Sequence, residues 1–355
     1  MEAVSVDALL LLSFGGPEGP AEVRPFLENV TRGRGVPPER LDEVAQHYLH
    51  FDGVSPINRL NRDLIEAIRS ALAAAGLDLP VYFGNRNWHP MIEDTVGEMS
   101  ADGVRRALVF PTSAYGGYSA CRQYDEDILR ARAAVANAPE LVKLRHYFDH
   151  PGFVLPFADA VREAAAGFED YRLVFTAHSI PNSFDATAGP SELGGHLYSK
   201  QVAEAARLIA AELGVAEYDV VWQSRSGPPQ VPWLDPDIVD HVDALHAKGV
   251  ANLVVCPVGF VSDHLEVVWD LDTEARERAE EHGMGFARAA TPGPDRRFAA
   301  MVLELVQEHL AAAEPRKLST LPTLGCTVNG EFCAVACCEP PARRPAADRA
   351  ASPSR

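Results

Sequence analysis

Leu253 to Glu274 reads LVVCPVGFVSDHLEVVWDLDTE, and its two ends obey different rules. Asn252 to Cys256 is short, apolar and branched enough for an interior strand, which Pro257 and Gly259 stop. Ser262 or Asp263 is then placed to cap a helix. A strand's C-terminal end beside a helix start is where open α/β sheets hold ligands, and this one presents Asp263, His264 and Glu266. Glu266, Asp270 and Glu274 recur every four residues, so in a helix they share a face and make an acidic file leading away from the turn. Like charges at that spacing repel, so the file is either solvated surface or a path for cations. The eight acidic and two basic side chains from Asp263 to Glu281 also suit an exposed helix of an acidic protein.

The flanking segments repeat the rhythm. Tyr171 to Thr176 reads as a strand ending in Ala177-His178-Ser179, and Tyr218 to Gln223 as a strand ending in Ser224-Arg225-Ser226-Gly227, with helices over 197–213 and 238–248. A lone histidine is more often structural than catalytic, but carboxyl ends of strands in one parallel sheet converge, which draws His178 toward His264 and Glu266. Nearer the start, Asp7 to Ser13 is a strand that runs into Phe14-Gly15-Gly16-Pro17, where small residues let a ligand approach the backbone. The spacing is not the dinucleotide fingerprint, which removes a dinucleotide enzyme. Arg32 and Arg34 among glycines suit either a clamp for carboxylates or phosphate or an ordinary surface loop, and Ser55 offers a hydroxyl from the loop 50–56. Strands are expected over 79–84, 106–110 and 141–147; between the last two, Tyr115, Tyr118 and Tyr124 suit either a flat ligand or satisfied edge positions at a domain interface. The βαβα order predicts two similar doubly wound α/β domains with parallel sheets and a cleft between them. The expected divisions are 6–152, 153–284 with the reactive residues, a closing strand and helix over 285–313, a cysteine-bearing tail over 314–340, and disorder over 341–355.

The 355 residues carry 32 Lys plus Arg against 50 Asp plus Glu, a formal net charge of -18. That balance argues against nucleic-acid binding and against stable association with an anionic membrane. No run is long enough to span a bilayer, and Ala8 to Phe14 is too short for a secretory signal core, so a cytoplasmic, monomeric protein is expected. Its cysteines would then be thiols or metal ligands. Cys326, Cys333, Cys337 and Cys338 put four of the six cysteines into 13 residues, a grouping that suits zinc or an iron–sulfur cluster without choosing between them. Cys256, inside a strand, reads as a small hydrophobe.

Taken together, LLLLSFGGP, TRGRG, GVSPIN (53–58), PTSAYGGYSACRQY (111–124), TAHSIPNSF (176–184), VVWQSRSGPPQVPWLDPD (220–237) and PVGFVSDHLEVVWDLDTEA resemble the ferrochelatase family in its actinobacterial form, from about Val6 to Leu310. The resemblance implies insertion of Fe²⁺, the substrate metal, into a porphyrin in haem synthesis, with coproporphyrin III as the expected macrocycle and protoporphyrin IX as the alternative. It implies His178 facing the macrocycle centre and Glu266 opposing it, with base and metal-ligand duties unassigned between them. Asp270 and Glu274, with Asp263 and His264, match the metal path; Phe14, Arg32, Arg34, Ser55 and Tyr124 match the porphyrin-enclosing loops. Phe14 replaces a tyrosine that ligates iron in other members. The resemblance also implies a [2Fe-2S] cluster on Cys121, Cys326, Cys333 and Cys338, with Cys337 as the alternative fourth ligand. Transient contact with the preceding and following haem-pathway enzymes is a further expectation. A cobalt or nickel chelatase of another tetrapyrrole, and a two-domain solute-binding module, are the rival readings.

Overall fold

The computed structural model describes residues 5–33, 35–227, 230–334 and 336–340. Two sheets carry the chain. In the first, β1 (Ala8–Ser13) lies between β2 (Val81–Asn85) and β3 (Arg106–Pro111), with β4 (Glu140–Lys143) beside β3. In the second, β5 (Arg172–His178) lies between β6 (Tyr218–Gln223) and β7 (Asn252–Cys256), with β8 (Gly285–Arg288) beside β7. All of these pairings are parallel, so each half has the same strand order and the same reversal, at β1/β3 and at β5/β7. Every residue of β1 is buried, as expected of a parallel strand covered by helices on both faces.

The first sheet departs from the all-parallel expectation. The tail returns as β9 (Thr327–Val328) and pairs antiparallel with β4, Val142 opposite Val328 and Lys143 opposite Thr327. The strand expected to run to Tyr147 ends at Lys143, and the His146 amide then donates to the Leu324 carbonyl at 2.8 Å. The tail competes successfully for backbone bonds that a longer strand would have used. Elsewhere the expected boundaries hold closely: β6 and β7 have the predicted limits, as does the helix Leu197–Leu213.

The helix Pro151–Ala164 joins the halves. Its Phe153, Val154 and Phe157 share one core with Leu9, Leu11 and Phe110 on one side and with Phe175 and Val254 on the other. Each fully buried Leu or Phe contributes roughly 1.5–3 kcal/mol, so this seam is strong. The closing helix Arg296–Ala311 adds Phe298, Met301 and Val302 to the same core. A second seam reaches between the strand ends through the helix Ile57–Ala74, where Ser262 Oγ meets Asn61 Oδ1 at 3.3 Å and Asn61 Nδ2 donates to Ser13 Oγ, at the end of β1, at 2.8 Å. The two reversals therefore face one another. No helix among the described residues is long and apolar enough to cross a membrane.

Candidate active site

His178 is the last residue of β5, one position inside the strand rather than in the loop after it. Its Nδ1 lies 2.5 Å from the Ser179 carbonyl. A carbonyl only accepts, so Nδ1 carries the proton and Nε2 is the nitrogen turned toward Glu266, whose Oε1 lies 3.9 Å away. The Tyr198 hydroxyl donates to the His178 carbonyl at 2.9 Å and fixes the backbone. After β7, Gly259 passes so close to β5 that a Cβ there would sit 2.6 Å from Ala177, which is why the turn needs glycine. The chain then reaches His264, which caps the next helix by accepting the Val267 amide at 3.4 Å. Ser262 and Asp263, the expected caps, do other work: Ser262 crosses to Asn61, and both Asp263 oxygens bind Arg288, at 3.1 and 3.0 Å.

The helix beginning at Leu265 widens into π-helical turns over Val268–Ala275. Glu266, Asp270 and Glu274 lie along it, and π-turns commonly mark functional sites. Asp270 is 8 % exposed; Gln223 Nε2 donates to it at 3.2 Å and the Ser224 hydroxyl bonds the same oxygen. Ser224 holds a left-handed backbone conformation, φ 61°, to present that hydroxyl. Although Glu266 keeps 43 % of its side-chain surface, the surrounding cleft walls desolvate it and push its carboxyl up to about 7. Asp270 is raised likewise, first by burial and then by repulsion from Glu266. Burial lowers His264 to about 3, helped by the positive charge His178 acquires on protonation, so His264 is neutral.

The first half supplies the facing wall. The Phe14 ring stacks 6.2 Å from the His264 ring, and Phe26 and Tyr48 pack behind it. Burial, reinforced by the charges of Glu266 and Asp270, raises the Tyr48 hydroxyl's pKa. At the mouth, His47 stacks on Trp269 with 4.0 Å between ring centroids, and Trp269 Nε1 donates to Glu274 Oε1 at 2.8 Å. Beyond Glu274 the acidic lining continues into a surface pocket of about 430 Å³ with Asp237, Glu277, Arg278 and Glu281.

Not every predicted residue gathers here. His178, Glu266 and Asp270 come together, with Phe14 and His264 beside them. Asp263 is turned into its ion pair. Ser55 is packed under Gly16 at 3 % exposure, and Tyr124 is buried beneath the Arg86 guanidinium, 4.5 Å from its ring centroid. Arg32 is exposed on its turn, and Arg34 lies outside the described residues. Sequence reasoning passed over Tyr48, Gln223, Ser224 and Trp269. The Ser224-Arg225-Ser226-Gly227 strand end was the available signal for two of them.

A second constellation lies at the tail. Cys121 sits on the short π-helical segment Tyr118–Arg122, and burial pushes its thiol up to about 12. Cys338 Sγ accepts the Gly189 amide at 3.1 Å; Cys333 and Cys337 sulfurs are 3.1 Å apart, and those of Cys337 and Cys338 3.7 Å. Among the described residues no three thiol, imidazole or carboxylate groups converge as a single-ion site. The donors around the sulfurs nevertheless suit an iron–sulfur centre: a backbone amide on Cys338 and the Lys143 ammonium 3.1 Å from Cys121 are the outer contacts such sulfurs take.

Comparison with known proteins agrees with the geometry. The ferrochelatase family model matches residues 6–310. Coproporphyrin III ferrochelatase of Nocardia farcinica is 66 % identical over 350 residues, covering 97 % of this chain and 99 % of that one. Coproporphyrin III ferrochelatase of Mycolicibacterium smegmatis is 60 % identical over 343 residues, covering 94 % and 99 %. Among solved structures, SirB from Bacillus subtilis with Fe³⁺ superposes with a TM-score of 0.54 at 12 % identity, covering 86 % of this chain and 96 % of that one, a likeness of fold alone. On the match over residues 6–310 and on these identities, the chain belongs to the ferrochelatase family.

Proposed function

We propose that this chain inserts Fe²⁺ into coproporphyrin III to give Fe-coproporphyrin. The observation that carries the reading is the approach of His178 Nε2 to Glu266 Oε1, 3.9 Å, at the inner end of the acidic file. The macrocycle follows from the relatives, named for coproporphyrin III and matched over nearly the whole chain. A porphyrin must lose two pyrrolic protons as the metal enters, so the site needs a proton acceptor and a metal-handling group within reach at once. An imidazole whose Nδ1 is engaged by a backbone carbonyl offers Nε2 for one duty; a carboxyl titrating near neutrality offers the other. Asp270 and Glu274 continue the path, drawing in hydrated cation or carrying protons out.

Phe14 forms an apolar wall in place of an oxygen ligand, which leaves His178 as the metal contact. Arg32 and Arg34 serve the propionates, and Ser55 and Tyr124, both buried, act by supporting first-half segments, under Gly16 and under Arg86 respectively. At the tail, Cys121, Cys326, Cys333 and Cys338 hold a [2Fe-2S] cluster, a group that when bound carries single electrons and cross-links its ligand segments. Cys338 is favoured over Cys337 because its sulfur receives the Gly189 amide. The enzyme works in the cytoplasm, where neighbouring haem-pathway enzymes deliver and collect the macrocycle transiently.

An anaerobic insertion assay run side by side with coproporphyrin III and protoporphyrin IX tests the reading. Rapid formation of Fe-coproporphyrin with little protohaem is expected; preference for protoporphyrin overturns the substrate, and turnover of neither overturns the activity.

A further inference from the structure

Lysine is seldom buried completely, yet Lys143 on β4 is 1 % exposed. An ion pair with Asp125 at 2.8 Å accounts for part of this. The ammonium has three donors, and the other two go to one residue: 3.3 Å to the Cys121 carbonyl and 3.1 Å to the Cys121 sulfur. A neutral thiol is a weak acceptor and a poor reason to bury a cation. On its other side Asp125 accepts the Thr327 hydroxyl at 2.7 Å, and Thr327 follows Cys326 in the chain and pairs with Lys143 across the β4–β9 ladder. One buried ion pair thus touches the loop cysteine directly and the tail cysteine through its neighbour. The tail carries the other three expected ligands, Cys326, Cys333 and Cys338.

We propose that Lys143 is the counter-ion of the anionic metal–thiolate centre formed by Cys121 and the tail, and that the Lys143–Asp125 pair sets the reduction potential of that centre. This rests on the [2Fe-2S] reading given above. Reduction adds one negative charge to a centre that thiolates already make anionic. A cation held against one ligand in a dry environment stabilises the reduced form, and a carboxylate beside it opposes that effect. The two residues therefore act in opposite directions on one quantity, although both contribute to stability. Arg122 adds a second cation at the tail, its guanidinium 3.7 Å from the Phe332 ring centroid and bonded to the Cys337 carbonyl at 2.9 Å.

The test uses full-length protein purified anaerobically, with iron and acid-labile sulfide assayed and the midpoint potential read by a spectroscopic redox titration. Lys143→Met should shift the potential downward and Asp125→Asn should shift it upward relative to the unsubstituted protein. A purely structural ion pair would lower the melting temperature in both variants and leave both potentials where they were; that result overturns the proposal while the cluster stands. If Lys143→Met does not fold, Asp125→Asn alone decides by the presence or absence of the upward shift. Unsubstituted protein without iron and sulfide removes the cluster reading, and this proposal with it.

Discussion

The two halves have the same strand order and the same reversal, yet their crevices hold different chemistry. At β1/β3 the strand ends present Ser13, Phe14 and Thr112, with the two hydroxyls bonded to each other at 2.8 Å. At β5/β7 they present His178, His264 and Glu266, followed by Asp270. Topology supplies a place where loops diverge and a ligand can enter; it does not say what the ligand meets there. In this chain one reversal carries an aromatic ring beside two hydroxyls that satisfy each other and the other carries titratable groups, and the Phe14 and His264 rings meet between them.

The largest effect should come from emptying the titratable wall. His178→Ala should leave a folded protein that still binds porphyrin, with insertion slowed by about 100-fold or more. Near-normal turnover would mean that the division of labour between the halves is misdrawn. Next in size is the pH profile. Because burial raises Glu266 to about 7, kcat/KM should climb with pH through neutrality, where ordinary carboxylates have long since ionised. Glu266→Gln should lower the rate by roughly 10- to 100-fold and flatten that limb; an unchanged limb would assign it elsewhere.

A smaller effect concerns stability. Asp270 is raised in the folded state, so the native protein holds its proton over a window where the unfolded chain has lost it. That stabilising contribution is complete below the ordinary carboxylate value and is lost as pH rises through the folded one. Asp270→Asn should therefore gain stability at about pH 8, on the order of 1–2 kcal/mol, and gain nothing at about pH 4. Denaturant unfolding at both pH values checks the sign. Smallest of all, Phe14→Tyr should change the insertion rate less than about threefold, since the apolar wall keeps its shape. It should alter the absorption spectrum of bound ferric product, because it places an oxygen on the side opposite His178. An unaltered spectrum would show that this wall stays out of reach of the iron.

How much of this was legible depends on whether a residue's role is local. The apolar run of β7 and the Pro257/Gly259 stop gave the strand, and His178 could be placed near a strand end because one periodicity fixed that end to within two residues. The capping of the next helix was misplaced by one or two residues, because Ser262 and Asp263 have good local capping chemistry and were claimed by partners far away in sequence, Asn61 and Arg288. Ser55 and Tyr124 carried the residue types expected of a ligand-enclosing loop and are buried; burial is set by the three-dimensional course of Gly16 and Arg86, which no local pattern reveals. Lys143, by contrast, carried a local signal. A lysine inside the buried run Leu141-Val142-Lys143-Leu144 implied a buried counter-charge, and Asp125 was its available partner.

The short strand β9 has a consequence that does not depend on metal. Without it β4 would be the last strand of the first sheet, with a free row of backbone donors and acceptors along Val142 and Lys143. Such an edge is a template for another chain, and proteins blunt it with short strands, charges or a covering segment. Here the tail is the cover. A chain cut after the helix Arg296–Ala311 would keep every residue of the cleft and expose that edge, so its first fault would be self-association rather than loss of chemistry. The tail thereby closes one edge of the first sheet within the chain itself.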